Sequence, residues 1–361
     1  MSVSEADVKQ QLNAITIPEL DNNLVDAGWL KAVDIDGNQA TLRLVPSFPC
    51  QSQYADYAQK IAAQLESLSL TVAIDWAPRV AAYQHKAGVE SLKGVKNIIA
   101  VASGKGGVGK STTSVNLALA LVAEGAKVGL LDADIYGPSQ PIMLGKADSR
   151  PETLDQKRIL PVLSHGVQSM SIGYLVDPEQ AMVWRGPMAS GALQQLINDT
   201  QWQDLDYLIV DLPPGTGDIQ LTLSQRVPVT AAVVVTTPQD IALADAVKAM
   251  NMFEKVSVPV LGVIENMGVH ICSECGHAEH IFGEGGGAGL AENAKIEFLG
   301  SLPLARSIRD HADSGTPSVV AEPDGTIAQM YQSIARKIAA SLSTRAKDYS
   351  QSFPNISITN D

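Results

Sequence analysis

The chain has 361 residues, 45% of them hydrophobic, and a formal net charge of −13, so it is long enough for about two folded domains and too apolar to be disordered. So acidic a surface repels phosphate backbones and anionic lipid, which argues against nucleic acid or a membrane as partners. Its three cysteines are an odd and sparse set that makes no disulfide framework.

In chain order, the opening MSVSEADVKQ lacks the apolar core of a secretion signal and reads as mature protein. Residues 1–80 read as a small α+β unit. Ser4 caps a first helix, and Trp29–Val33 and Ala40–Val45 form two strands turned at Asp36-Gly37-Asn38. Tyr54–Leu68 is an amphipathic helix and Leu70–Ile74 a third strand. Cys50 precedes that helix. It reads either as a thiol whose pKa is lowered by the helix N-terminus or as a small buried residue. Residues 81–96 are mixed, polar and glycine-containing, and read as a linker.

From residue 97 to 342 strands and helices alternate. The strands are Asn97–Ala102, Lys127–Leu131, Val167–Ile172, Tyr207–Asp211, Ala231–Thr236, Val260–Ile264 and Ile296–Leu302. The helices between them include Lys110–Glu124, Ser190–Asp199 and Ile241–Phe253, and Ile327–Leu342 is a terminal amphipathic helix. Near-continuous apolar strands separated by helices predict an α/β fold with a mostly parallel sheet covered on both faces. No stretch reaches the about 18 apolar residues of a membrane span; Ala231–Val235 and its neighbours have only strand length. The chain therefore reads as soluble and cytoplasmic, with residues 343–361 a polar, frayed tail.

The first strand runs into Gly104-Lys105-Gly106-Gly107-Val108-Gly109-Lys110-Ser111, which fits G-x-x-x-x-G-K-[ST] between a strand and a helix. Its glycines let backbone N–H groups converge on phosphate oxygens at a helix N-terminus, with Thr112 completing the first turn. Lys110 is expected to reach the β- and γ-phosphates and Ser111 to hold Mg²⁺. Asp132 and Asp134 follow the next strand and face the ligand crevice. The apolar strand Tyr207–Asp211 ends on a carboxylate expected to hold Mg²⁺ through water, and Pro213-Pro214-Gly215-Thr216-Gly217-Asp218 follows it. Glu265-Asn266-Met267 ends a later strand, and the Asn266 amide has the donor and acceptor that adenine presents to. No N-K-x-D string selects guanine, so ATP is the expected nucleotide.

Directly after comes Cys272-Ser273-Glu274-Cys275-Gly276-His277. Two thiolates can turn toward one metal but do not close a tetrahedral site, and His277 and His280 lie too close for zinc-finger spacing. Two copies of the chain about a two-fold axis supply four thiolates, as a [4Fe–4S] cluster requires. A zinc shared between subunits and a redox dithiol remain as alternatives, the second disfavoured because the pair opens no helix.

GKGGVGKST, with its second lysine, resembles the deviant Walker A class of P-loop ATPases. Taken with DADIYGPSQP, DLPPGTGD and ENM followed by C-x-x-C, it is similar to the Mrp/ApbC iron–sulfur cluster carriers over about Val95–Ala340. Trp184-Arg185-Gly186-Pro187-Met188 also looks like that family, whereas Ser273 stands where many members carry proline. The front unit resembles the MIP18-like (DUF59) domain, with Ile17-Pro18-Glu19-Leu20 where the pattern usually begins with Asp, and Cys50 where the pattern also has Cys. The resemblance implies a homodimer in which Lys105 reaches the partner's nucleotide, Asp134 orients the attacking water, Asp132 supports the metal site and Asn266 bonds the adenine edge. It also implies that Gly215 senses the γ-phosphate. ATP hydrolysis would then serve transfer of a [4Fe–4S] cluster from an assembly scaffold to apoproteins. The runner-up is a Min/Par-type spatial-organising ATPase with a structural zinc at the cysteines. It fits less well, because the tail has no apolar stripe and the chain no basic excess. A nitrogenase-iron-protein-like electron carrier fits less well too, because its cluster cysteines are separated in sequence.

Overall fold

The computed structural model describes residues 3–85, 89–155, 157–176, 186–272 and 274–348. Trp184, Arg185, Ser273 and the tail beyond 348 lie outside the described residues.

The amino-terminal unit begins with α1 (Glu5–Leu12), whose Ser4 hydroxyl accepts the Asp7 N–H while the Asp7 carboxylate accepts the Ser4 N–H. Strands β1 (Leu30–Asp36) and β2 (Gln39–Leu44) form a hairpin around Gly37 (φ 61°), and β3 (Thr71–Trp76) adds parallel to β2 after helix α2 (Tyr54–Glu66). Alternation puts Ala40, Leu42 and Leu44 inward, against Trp29, Phe48 and Tyr57.

The larger unit is one eight-stranded sheet. In chain order its strands are β4 (Val95–Ala102), β5 (Val128–Asp132), β6 (Val162–Ser164), β7 (Val167–Ser171), β8 (Leu205–Asp211), β9 (Ala231–Thr236) and β10 (Val260–Glu265). After the two-residue strands β11 (His270–Ile271) and β12 (Ala278–Glu279), which pair as a separate hairpin, β13 (Glu297–Ser301) completes it. The spatial order is β13-β10-β9-β4-β8-β5-β7-β6, parallel throughout except for β6 against β7. All seven strands expected from sequence are present within one or two residues. The eighth, β6, spans three residues, too short a window for any periodicity to show.

The helices are α3 (Lys110–Ala123), α4 (Gln140–Met143), α5 (Gly186–Asp199), α6 (Asp218–Arg226), α7 (Asp240–Lys255), α8 (Gly286–Ala294), α9 (Arg306–Asp313), α10 (Ser318–Ala321) and α11 (Thr326–Ser343). Along β4, Ile99 and Val101 pack with α3 and α11, while Ile98, Ala100 and Ala102 pack with α5 and α6. The amino-terminal unit lies outside α3 and α11, and its apolar residues from Val8 to Leu70 join their core without a break.

Polar bonds reinforce that junction. Glu124, fully buried at the C-terminus of α3, accepts the Ser52 N–H (3.0 Å), the Ser52 hydroxyl (2.6 Å) and the Arg336 guanidinium (2.6 Å). Arg336 also donates to Glu19 at 3.1 Å. Cys50 sits in this region, wholly buried. Burial and the neighbouring Glu124 and Glu19 carboxylates push its thiol far up, so the reading of Cys50 as a thiol activated by a helix N-terminus does not hold. The described part of 81–96 is tied down too. Tyr83 N–H and Ala81 C=O bond the Asn97 side chain, and residues 346 and 348 bond back to Gln84 and Ala82. Residues 343–348, expected to begin a frayed tail, are thus the end of α11 and a docked extension. Removing the cation from a buried pair strands its carboxylate, so Arg336→Ala should cost about 3–5 kcal/mol. Urea denaturation of full-length protein measures this, and Glu124→Gln in the same chain should recover part of the loss.

Candidate functional site

β4 and β8 are neighbours, and β8 runs beside β5 with Asp211 opposite Asp132. The C-terminal ends of these three strands therefore bring the glycine loop and both carboxylates to one edge, where open α/β sheets bind ligands. Chain geometry explains the loop's glycines. A Cβ on Gly104 would lie 2.1 Å from the Asp245 carbonyl in α7, so only glycine lets the loop pass that helix. Gly109 (φ 78°) caps α3 in the left-handed region; a Cβ on Gly106 would touch Pro214 at 3.8 Å, and the space beside Gly107 is open.

Lys110 is buried, with Nζ 2.5 Å from Asp211 Oδ1 and 3.1 Å from Ser111 Oγ. Asp211 is fully buried and also accepts the Ser114 hydroxyl (2.9 Å) and the Gln140 amide (2.9 Å). Neither Ser114 nor Gln140 was among the residues expected from sequence. Ser114 was findable, since it lies four residues from Lys110 on the same face of α3; Gln140 lies within the DADIYGPSQP string. Asp132 accepts the N–H groups of Ser139 (3.0 Å) and Gln140 (3.1 Å), the Ser171 hydroxyl (3.1 Å) and the Asp134 N–H (3.2 Å). It therefore shapes the loop leading into α4. Burial, then the nearby Asp211 charge, push its carboxyl up. Asp134 is half-buried beside this loop and its carboxyl is also raised by burial.

Lys105 is partly exposed, and among the described residues no acidic side chain pairs with it. Gly215 (φ 95°) donates its N–H to Ser103 C=O at 3.1 Å. Asn266 Nδ2 donates to Val108 C=O at 2.9 Å, so its amide touches the glycine loop directly. Ser111, Thr112, Asn266 and Met267 face Pro303–Ala305 and α9 across a cleft of about 490 Å³. That second wall carried no expectation from sequence, because α9 is charged and short.

The hairpin β11–β12 leaves the same sheet edge from the end of β10. Cys272 is half-exposed and Cys275 exposed. The N–H groups of Cys275 and Glu274, then the Cys275 side chain, hold the Cys272 thiol below its usual range. Among the described residues no group of three or more His, Cys, Asp or Glu is arranged to hold a metal, so one chain presents two thiols and leaves any metal short of ligands. Among those residues, too, no helix is long and apolar enough to cross a membrane.

A mostly parallel sheet with a glycine loop between its central strand and α3, a lysine over a buried strand-end aspartate and an open cleft beside them is the fold of a P-loop NTPase, shared with MinD. The cell division ATPase MinD of Pyrococcus furiosus superposes with a TM-score of 0.51 at 22% identity, covering 67% of this chain and 98% of that one. A nucleotide-binding protein of Archaeoglobus fulgidus in complex with ADP superposes with a TM-score of 0.56 at 37% identity, covering 64% and 90%. Residues 94–339 match the NUBPL iron-transfer P-loop NTPase family, and residues 5–76 match an iron–sulfur cluster assembly protein family. The iron–sulfur cluster carrier protein of Escherichia coli K12 is 53% identical over 327 residues, 90% of this chain and 89% of that protein. The iron–sulfur cluster transfer protein NUBPL of Dictyostelium discoideum is 47% identical over 272 residues, 74% of this chain and 84% of that protein. The chain belongs to the NUBPL iron-transfer P-loop NTPase family.

Proposed function

We propose that the chain binds and hydrolyses ATP and carries a [4Fe–4S] cluster, bridged between two copies, to apoproteins in the cytoplasm. The observation that carries this reading is the exposed Cys272–Cys275 pair, on a hairpin that grows from the wall of the P-loop cleft. The relatives' names support it. A spatial-organising role with structural zinc is not favoured, since no observation points to it.

In this reading residues 97–342 form the ATPase, with 1–80 an assembly-type unit packed on its back and 81–96 the connector. The phosphates lie along Gly104–Thr112 and the base in the cleft beside Asn266. The Lys110 ammonium sits between Ser111 Oγ and Asp211, the oxygens that Mg²⁺ would share, so a cation fits there. Ser111 and, through water, Asp211 would hold Mg²⁺, which would supply charge neutralisation at the phosphates. Nucleotide draws Lys110 to the β- and γ-phosphates. Asp134 orients a water that adds to the γ-phosphorus, and ADP and inorganic phosphate leave. Lys105 reaches the partner copy's nucleotide. Lys105→Ala should therefore bind ATP within about threefold of wild type yet lose about 10²-fold in turnover, the typical effect of removing one transition-state donor. Full turnover by a strictly monomeric Lys105→Ala protein would remove the role in trans.

Anaerobic reconstitution tests the cargo. About four iron and four sulfide per two chains are expected, as fourfold thiolate ligation of one cluster demands. Zinc bound without iron after reconstitution would overturn the carrier reading.

A further inference from the structure

The cysteine hairpin pairs through only two residues on each strand, His270↔Glu279 and Ile271↔Ala278, so bonds to the rest of the chain must fix its position. Those bonds run to the two walls of the nucleotide cleft. On one side, His280 Nδ1 lies 2.7 Å from Gly268 C=O, one residue beyond Met267 in the first wall. On the other, His270 Nδ1 lies 3.0 Å from the C=O of Leu304, a residue of the second wall, and Val269 C=O accepts the Leu304 N–H at 2.8 Å. A carbonyl can only accept, so both imidazoles donate from Nδ1.

The connection starts from a fixed end. Glu265 is buried at the end of β10 and accepts the Gly287 N–H (2.7 Å) and the Ser301 hydroxyl (3.1 Å), which pins the strand. Directly beyond, Asn266 bonds the glycine loop, and Met267 holds φ 59°, a left-handed conformation that costs a non-glycine residue strain. A base entering the cleft meets Asn266, Met267 and Pro303–Ala305; bonds from Gly268 N–H to Leu302 C=O (3.0 Å) and from Leu304 N–H to Val269 C=O (2.8 Å) tie these two segments to each other, so a shift in either is passed to both histidines.

We infer that His270 and His280 are positioning residues that fasten the strands of the cysteine hairpin to opposite walls of the nucleotide cleft, so that filling the cleft changes the mutual placement and exposure of Cys272 and Cys275. This rests on the reading of the cleft as the nucleotide site. It adds the route by which nucleotide is felt at the thiols, through two side chains outside the C-x-x-C pair.

The test uses the full chain, reduced and metal-free. Alkylation of Cys272 and Cys275 by iodoacetamide is followed by mass spectrometry with and without Mg²⁺ and a non-hydrolysable ATP analogue, and binding of a fluorescent ATP analogue is measured in parallel. Cys50 is buried and serves as the unreactive internal control. In wild type, nucleotide should change the alkylation rate by about fivefold or more, the lower end of ordinary site-to-site coupling. His270→Ala and His280→Ala should bind nucleotide as wild type does but lose most of that change. His270→Asn and His280→Asn should restore it, because the asparagine Nδ2–H occupies the place of the imidazole Nδ1–H, whereas glutamine reaches too far and should not. This pattern separates positioning from a merely structural role, and it still decides the matter if an alanine variant fails to fold. A full response in the alanine or glutamine variants overturns the inference. So does a wild type that binds nucleotide with no change at the thiols, a result that leaves the nucleotide site standing. Failure to bind nucleotide at all removes both.

Discussion

Lys110→Ala should abolish ATP hydrolysis, with a loss of at least about 10²–10³-fold, the typical effect of deleting one transition-state donor in a water-poor site. The structure gives a second reason for a large effect. Lys110 is the cation bonded to Asp211, and Asp132 lies opposite Asp211 in the sheet, fully buried. Without the ammonium, two buried carboxylates face each other, which should cost about 3–5 kcal/mol as a broken buried pair. Stability and chemistry are then separable. Lys110→Ala combined with Asp211→Asn should regain much of the stability, read by urea denaturation, and none of the turnover, read by phosphate release. Near wild-type turnover in either protein would remove Lys110 from the reaction.

Cys272→Ala and Cys275→Ala should each abolish stable cluster binding, because a two-fold site would fall from four thiolates to two. Iron and sulfide should drop from about one cluster per two chains to background, and transfer to an apoprotein should vanish. ATP hydrolysis should persist, since the hairpin contributes no residue to the glycine loop. Cys50→Ala should keep its cluster, because that thiol is buried among the side chains of the amino-terminal unit with its pKa far up. A Cys272→Ala protein that retained full iron and sulfide would place the ligands elsewhere.

Most of this fold was legible because its signals are local. Five strands, β4, β5, β8, β9 and β10, are buried and largely apolar runs bounded by turns, and the glycine loop lies between a strand and a helix, where its spacing has physical meaning. The parts that escaped are those that distance in sequence hides. Arg336 meets Glu124 across 212 residues and Glu19 across 317, and no periodicity announces such a pair. β6 is short, and the cleft wall at Pro303–Asp313 becomes a wall only when β13 delivers it beside Asn266. The bonds of Asp132 were hidden for a different reason. Its place after a strand marks it for the crevice, but its oxygens are taken by backbone N–H groups and the Ser171 hydroxyl, and only coordinates show that.

The continuity of the apolar core between the amino-terminal unit, α3 and α11 has a mechanical consequence. Helix α3 begins at the phosphate loop and ends at Glu124, under Ser52 and Arg336; at about 1.5 Å per residue its 14 residues span roughly 21 Å. That helix cannot slide or tilt without opening a sealed apolar seam and disturbing a buried ion pair, so the front unit acts as ballast on the back of the ATPase. The cysteine hairpin is held instead by a few hydrogen bonds, to Gly268 and Leu304. On the proposed reading, strain raised at the phosphates would be resisted toward the front unit and passed toward the thiols.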